Sequence, residues 1–543
     1  MLLGTVRPDL SPHSRTKLPW VLLYALFIFY AGTFIYQSSF VIDGQRYFCL
    51  FDDAMVSMRY ARNLVGGLGL VWNPGEEKVE GFTTPFWTVY MAVPHLLGLG
   101  PSKTSLFIQI SGLMCLLLNL VAIRAVARIA GCGDSHTIFA SLLFVAFFYP
   151  LNNWSLLGME VGLLALVTST ATFLSLKVLE TAAARFSLYV LLAAATLVRI
   201  DASVVGFAIV IFLAVVQRRL RLLHLVAGLG SIVGVLAIQT LLRWVYYGDL
   251  LPNTYYLKMV GYPSYDRIHW GLAVFLMRLS QLNWALCLFP LVLIVVQRTK
   301  ALGLMAAVVL AQVAYGIYVG GDAWEGLGAN RYLTVVAPVF FVLFALAASR
   351  TLRWVADLAR RPGVFRYAFS VFVALSLVRF NMNSGLASLA PVFLQAPSPL
   401  ASRNPEMVRL ALILTQVTKR DASIAVVWAG IIPYFSGRHC VDLLGKNDRT
   451  IAHQEMHQNA AMGFWPGHLK WDYRFSIEGR RPDVVAQVWA DPASAKRSLS
   501  GGYLTAGAFG SFFCARRSSP RIEWDKVATL DCGYSYLLCP PPL

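Results

Sequence analysis

The chain has 543 residues, a formal net charge of +18 and a mean hydropathy of +0.60, with 57% hydrophobic and only 14% charged residues. A soluble protein of this length cannot hide so much apolar surface, so roughly the first 385 residues must have the bilayer as their solvent. The positive charge does not point to nucleic acid. Many of the Lys and Arg residues sit in short loops between apolar runs, where cytoplasmic loops concentrate them.

The opening MLLGTVRPDLSPHSRTK is polar and basic. The apolar run from Leu18 to Phe40 exceeds a signal-peptide core and lacks a small-residue cleavage site, so it is expected to remain as the first span. Further spans are expected to begin near Ser105, His136, Val161, Phe186, Ser203, Leu222, Gly271, Ala301, Tyr332 and Tyr367, which makes about eleven. Between alternate spans lie Arg124 and Arg128, Lys177 and Arg185, Arg218, Arg219 and Arg221, Arg298 and Lys300, and the run Arg350, Arg353, Arg360, Arg361 and Arg366. With Arg7, Arg15 and Lys17 they mark the cytoplasmic face. Pro85 to Leu97 is short, contains Pro94 and has no basic cluster after it, which predicts an interfacial or re-entrant segment on the outer side.

An odd number of crossings places the tail outside, in the periplasm or its equivalent. The expected division is a transmembrane domain over 1–385, with a first extracytoplasmic loop at 41–104, and an α/β soluble domain over 386–543 with strand-like runs such as IAVVWA and DVVAQVWA. Four of the eight cysteines, Cys440, Cys514, Cys532 and Cys539, fall in that tail, where disulfides are chemically allowed; one or two bridges are expected and three pairings are open. Cys115, Cys132 and Cys287 read as small buried hydrophobes.

The inner loops are merely basic, whereas the outer loops carry the unusual chemistry. The first begins Phe51-Asp52-Asp53 and continues MVSMRYARNL, then GGLGLVWNPGEEKVEGFTT. Adjacent carboxylates beside a membrane are costly unless they meet cations, metal or substrate, although a helix cap with an ion pair to Arg59 would also explain them. Other outer segments add Glu80, Glu160, Arg199 and Asp201, then GDLLPNTYYLK with Asn253, Tyr255 and Lys258, then GGDAWEGLGANRY with Asp322 and Arg331.

Acids and cations from distant loops thus converge on one membrane face, as a site for a polar or anionic ligand at the lipid surface requires. Glycosyl transfer from a lipid phosphate fits: a carboxylate orients or deprotonates the acceptor hydroxyl while Lys or Arg holds the leaving phosphate. There is no GxxxxGK[ST] loop and no strand-anchored GxGxxG, so a nucleotide partner is not expected.

Taken together, FDDAMVSMRYARNLVGGLGLVWNPGEEKVEGFTTPFWT, SLLGMEVGL, YYGDLLPNTYYLK, the segment ending in Asn330-Arg331-Tyr332, AGIIPYFSGRHCVDLLGKND, PGHLKWDYRF and RPDVV resemble the GT-C superfamily of polyprenyl-phosphate-sugar glycosyltransferases. Within it the likeness is to the mycobacterial terminal arabinofuranosyltransferases, the AftB group. The resemblance implies a polytopic helical membrane protein of GT-C type in the cytoplasmic (inner) membrane of a bacterium, with an extracytoplasmic C-terminal domain that helps bind a cell-envelope glycan. It implies Asp52 and Asp53 as catalytic acids, Asp52 slightly ahead, with Lys258, Arg331 and Arg199 on the donor phosphate. Glu80, Glu160, Asn253, Tyr255 and Asp322 would line the sugar side, and Asp442 and His468 would serve the acceptor. The implied partners are a polyprenyl-phosphate-sugar donor, foremost decaprenyl-phospho-arabinofuranose, a cell-wall or cell-envelope glycan acceptor, and membrane lipids.

Transfer of a hexose or aminosugar to lipopolysaccharide, lipid or protein is the same-class alternative. A flippase is the alternative of another class, against which stands the placement of charges at outer helix ends rather than mid-membrane. A divalent metal (Mg, Mn or Ca) bridging acid and phosphate, as in some superfamily members, is left open. His453 and His457 have an i, i+4 spacing that suits a metal, but HQEMH is not HExxH and reads better as polar surface. The tail's Trp428, Trp465, Trp471, Trp489 and Trp524 suit either sugar stacking or a core.

Overall fold

The computed structural model describes residues 18–325, 330–382, 385–457, 463–500, 502–508, 511–530 and 534–535. Arg7, Arg15, Lys17, Cys532 and Cys539 lie outside the described residues.

All eleven expected spans fall on helices, but they are not equivalent. Seven are single helices long and apolar enough to cross a membrane: Leu18–Gln37, Pro101–Ile129, Val161–Thr181, Arg218–Tyr247, Lys300–Tyr318, Arg331–Leu358 and Val364–Asn381. Two more are broken: Ser135–Ala146 with Tyr149–Leu156 is bent by 48°, and Ser264–Leu282 with Trp284–Gln297 by 96°. Pro150 starts a new helix in the first pair, and Asn283 at φ 78° turns the chain in the second. The last two, Phe186–Val198 and Ala202–Val216, have 13 and 15 residues and reach about 20 Å at 1.5 Å per residue, short of the roughly 30 Å hydrocarbon core. By length and composition, therefore, the described residues hold seven to nine crossings rather than eleven.

Arg331–Leu358 is the axis of the bundle: its apolar window is 83% buried, against 17% for Arg218–Tyr247 at the lipid boundary. Phe341 and Phe344 on this axis pack against Phe144 and Phe380 at ring separations of 5.0–5.4 Å. At one end of the bundle the expected inner-face residues meet, with Arg353 paired to Asp134 at 2.6 Å and Arg124 over the Trp20 ring. Pro85–Tyr90 and Val93–Leu96 are helices of six and four residues, too short to cross, as their sequence implies.

Beyond Asn381 the chain builds a six-stranded mixed sheet in the order His439–Asp442, Ser423–Val426, Val484–Val485, Ser511–Arg516, Tyr503–Ala508, Tyr534–Ser535. The first three run parallel, and IAVVWA and DVVAQVWA supply its centre. Cys440 and Cys514 sit three strands apart in this order, about 14 Å at 4.8 Å per strand, which is beyond disulfide reach. Cys440 is instead a buried free thiol 3.7 Å from the Arg59 guanidinium, so the expected bridge at that position is corrected.

Candidate active site

The segment after the first span, expected to lie outside, folds as a short hairpin, Phe40–Ile42 with Gln45–Tyr47, and then the helix Asp52–Val65. Its start is fixed by Phe51, whose amide donates to the Leu157 carbonyl at 3.0 Å and whose ring is gripped edge-on by Trp154 and Trp324. Two acids in the first turn complement the positive end of the helix. One residue of helical rotation then sends their side chains to different places.

Asp52 is 7% exposed and accepts from the amides of Ile431 at 2.8 Å and Gly430 at 3.2 Å, capping the helix Ile431–Ser436 of the C-terminal domain. Only glycine fits at 430, because a Cβ there would collide with the Asp52 carbonyl. Burial pushes the Asp52 carboxyl up to about 7 against the pull of the Ile431 amide.

Asp53 opens onto a cavity of about 330 Å³. One of its oxygens accepts from Arg331 at 3.1 Å and the other is paired with Lys446. Burial opposes its ionisation, but the charges of Lys446, Arg331 and Lys258 outweigh this and hold the carboxyl far below the usual range. Arg331 begins the axial helix, an unfavourable place for a cation that Asp322 offsets. The Asp322 carboxylate accepts from the Arg331 amide at 2.8 Å and from its guanidinium at 3.0 Å. Lys258 stands in the same wall, and burial beside Arg331 pushes its ammonium down to about 8.

The same cavity is lined by Arg199, which pairs with Glu160 at 3.0 Å and Asp201 at 2.9 Å. Its lining also includes Phe82, Trp87, Met91, Leu251 and Tyr255. Counting formal charges, the group around Asp53 with Asp322, Arg331, Lys446 and Lys258 is net positive and the group around Arg199 with Glu160 and Asp201 net negative, so an anionic ligand is favoured at the first. Phe82, Trp87 and Met91 supply apolar surface in the same cavity.

The outer-loop pattern thus brought Asp53, Lys258, Arg331, Arg199, Glu160 and Tyr255 to one cavity. It did not bring the rest. Glu80 is buried against Arg243. Asn253 donates to the carbonyls of Gly445 and Lys446 at 2.9 and 3.0 Å. Asp442 clasps a turn, accepting from the amides of Leu444, Gly445 and Asn447 at 3.0, 3.1 and 2.8 Å. His468 stacks on Trp465, and burial pushes its imidazole down to about 4. Trp428, Trp465 and Trp489 pack around it at 4.8–5.7 Å, a core arrangement that leaves these rings engaged with one another.

Arg59 makes no ion pair with Asp52; it donates to the Trp72, Pro433 and Arg438 carbonyls at 2.6–2.9 Å. The residue that sequence reasoning missed is Lys446. It lies in the quoted VDLLGKND run, and its only signal was position in a turn of small and amide residues.

In this state the acid pair offers no free oxygen to a divalent cation, since Asp53 holds a cation on each oxygen and Asp52 is occupied by amides. Among the described residues no group of three or more His, Cys, Asp or Glu is placed to hold a metal, and His457 stacks on Trp471 instead.

Residues 400–536 match the model of a family described as a domain of unknown function, DUF8728. No curated protein matches the chain. Among solved structures, ArnT from Cupriavidus metallidurans bound to undecaprenyl phosphate superposes with a TM-score of 0.55 at 14% identity, covering 93% of this chain and 99% of ArnT. Its apo state gives 0.52 at 16% identity over 92% of this chain and 98% of ArnT. The oligosaccharyltransferase of Archaeoglobus fulgidus tethered to an acceptor peptide gives 0.51 at 12% identity, covering 92% and 74% of the respective chains. The chain therefore shares the fold of ArnT and of the oligosaccharyltransferase, a helical membrane domain followed by an α/β domain.

Proposed function

We propose that the chain is a membrane glycosyltransferase that takes its sugar from a polyprenyl-phosphate donor and acts outside the cytoplasmic membrane of a bacterium. The observation that carries this reading is the juxtaposition of Asp53 with Arg331, Lys446 and Lys258 in one cavity that also has apolar lining. A carboxylate and a cation cluster are the two parts that displacement of a phosphate by a hydroxyl needs.

In the proposed step the bond from the sugar's anomeric carbon to the phosphate oxygen breaks as the acceptor hydroxyl oxygen bonds that carbon. The hydroxyl proton passes to Asp53. The polyprenyl phosphate leaves with its charge met by Arg331 and Lys258. Arg199, held by Glu160 and Asp201, lines the same cavity, where sugar hydroxyls would find both donors and acceptors. For the sugar we take arabinofuranose on decaprenyl phosphate, on the strength of the first-loop resemblance, and for the acceptor a cell-wall glycan.

The test is transfer of radiolabelled sugar from a panel of synthetic polyprenyl-phosphate donors to an oligosaccharide acceptor in nanodiscs. Turnover with one donor, lost in Asp53→Asn, is expected. A folded protein inert with every donor, yet moving lipid-linked sugar across liposomes, would sink the reading in favour of transport.

A further inference from the structure

Lys446 reaches the cavity from the C-terminal domain, 393 residues along the chain from Asp53. Its position is over-determined. Asp442 ties the turn from inside, with the Asn447 side chain adding a fourth hydrogen bond at 2.9 Å. Asn253 fastens the Gly445 and Lys446 carbonyls from the opposite side, five residues before Lys258 on the same short helix. Gly81 lies so close that a Cβ would collide with Asn447. Three separate chain segments thus hold one lysine against a carboxylate that already has Arg331.

Such a pair is redundant for a structural ion bridge. Asp53 and Asp322 carry two negative charges against the three positive charges of Arg331, Lys446 and Lys258, so this group holds one cation in excess. Arg331 is bound in turn by Asp322 through its amide and guanidinium and is not free to move. Lys446 has a flexible stem and a single ion-pair partner among the described residues. It can turn within the cavity without breaking another ion pair.

We propose that Lys446 is a donor-phosphate ligand parked on Asp53, and that it passes from the carboxylate to the phosphate when the donor enters. The transfer leaves Asp53 with Arg331 alone and so raises its readiness to accept the acceptor's proton. Donor binding and activation of the base become one event, and an empty site keeps its carboxylate quenched. This rests on the glycosyltransferase reading above.

The test measures binding of polyprenyl phosphate, the product of that reaction, to the full-length protein in nanodiscs, with thermal unfolding as the check on folding. Wild type should bind. Lys446→Met should bind at least about tenfold more weakly, a loss typical of one charge-assisted contact, and Lys446→Arg should restore most of it. In an Asp53→Asn background the loss on Lys446→Met should be larger, because the lysine no longer has to leave a carboxylate first. A purely structural lysine would move the unfolding midpoint and leave those affinities alike. Equal affinity in wild type and folded Lys446→Met overturns the proposal while sparing the transferase reading; absence of binding in wild type overturns both.

Discussion

Asp52 and Asp53 are joined by one peptide bond, yet they look onto two regions that obey different rules. Asp52 faces the seam between the first loop and the C-terminal domain, where amides of Gly430 and Ile431 close around it. Asp53 faces the cavity, where its side chain is 27% exposed and its partners are cations. A carboxylate enclosed by backbone amides joins elements together; one held by mobile charge beside open space is available to a ligand. Adjacent position in sequence says nothing about which role each takes.

The sharpest way to break this contrast is Asp53→Asn. Turnover in the donor panel should fall roughly 100- to 10,000-fold, the range for loss of a general base, in protein that still unfolds cooperatively, at a midpoint lowered by loss of the carboxylate's ion pairs. If Asp52→Asn were the more damaging to turnover in a folded protein, the two regions would have to exchange roles. Next in size is Arg331→Gln, which strands Asp322 as a buried charge and should cost about 3–5 kcal/mol of stability in denaturant unfolding of the purified protein. Asp52→Ala should cost about 1–3 kcal/mol by leaving two amides unsatisfied, with turnover reduced by less than about tenfold.

The smallest effect is a pH dependence that separates the carboxylates. Asp52 binds its proton more tightly folded than unfolded, so its contribution to stability is fully present below about 4 and is lost as pH rises through about 7. Asp53 is shifted the other way; its contribution is present above about 4 and persists to alkaline pH. Of these two carboxylates only Asp52 should therefore titrate between pH 5 and 8, and Asp52→Asn should reduce the slope of the unfolding midpoint over that window, leaving the part due to Glu325 near 7 and Lys258 near 8, whereas Asp53→Asn should not remove the Asp52 component.

Hydropathy made the helical segments legible because a span must satisfy its backbone internally and shed charge, which leaves a long signal in the chain. It overstated Phe186–Val198 and Ala202–Val216, since an apolar run reports environment and not reach. The site was half legible. Lys258, Arg331, Arg199 and Glu160 are charges that a lipid-facing protein would otherwise avoid, so their presence in outer loops was itself the signal. Asp322 was read as a sugar contact because nothing in the sequence shows that it must neutralise a guanidinium at a helix start. Lys446 was invisible for a different reason. A lysine in a polar domain is unremarkable until tertiary packing lays it against an acid from the other end of the chain.

Arg59, only 2% exposed, spans the seam by donating to the Pro433 and Arg438 carbonyls from the first loop. The consequence concerns inheritance. Residues 400–536 look like a cassette when laid out along the sequence, but moved alone onto another bundle they would arrive with the Pro433 and Arg438 carbonyls stripped of their charged donor and a lysine lacking its acid. The transplantable unit is discontinuous, comprising 51–73 together with 430–447, and chimaeras that exchange both parts at once should fold where exchange of either alone fails.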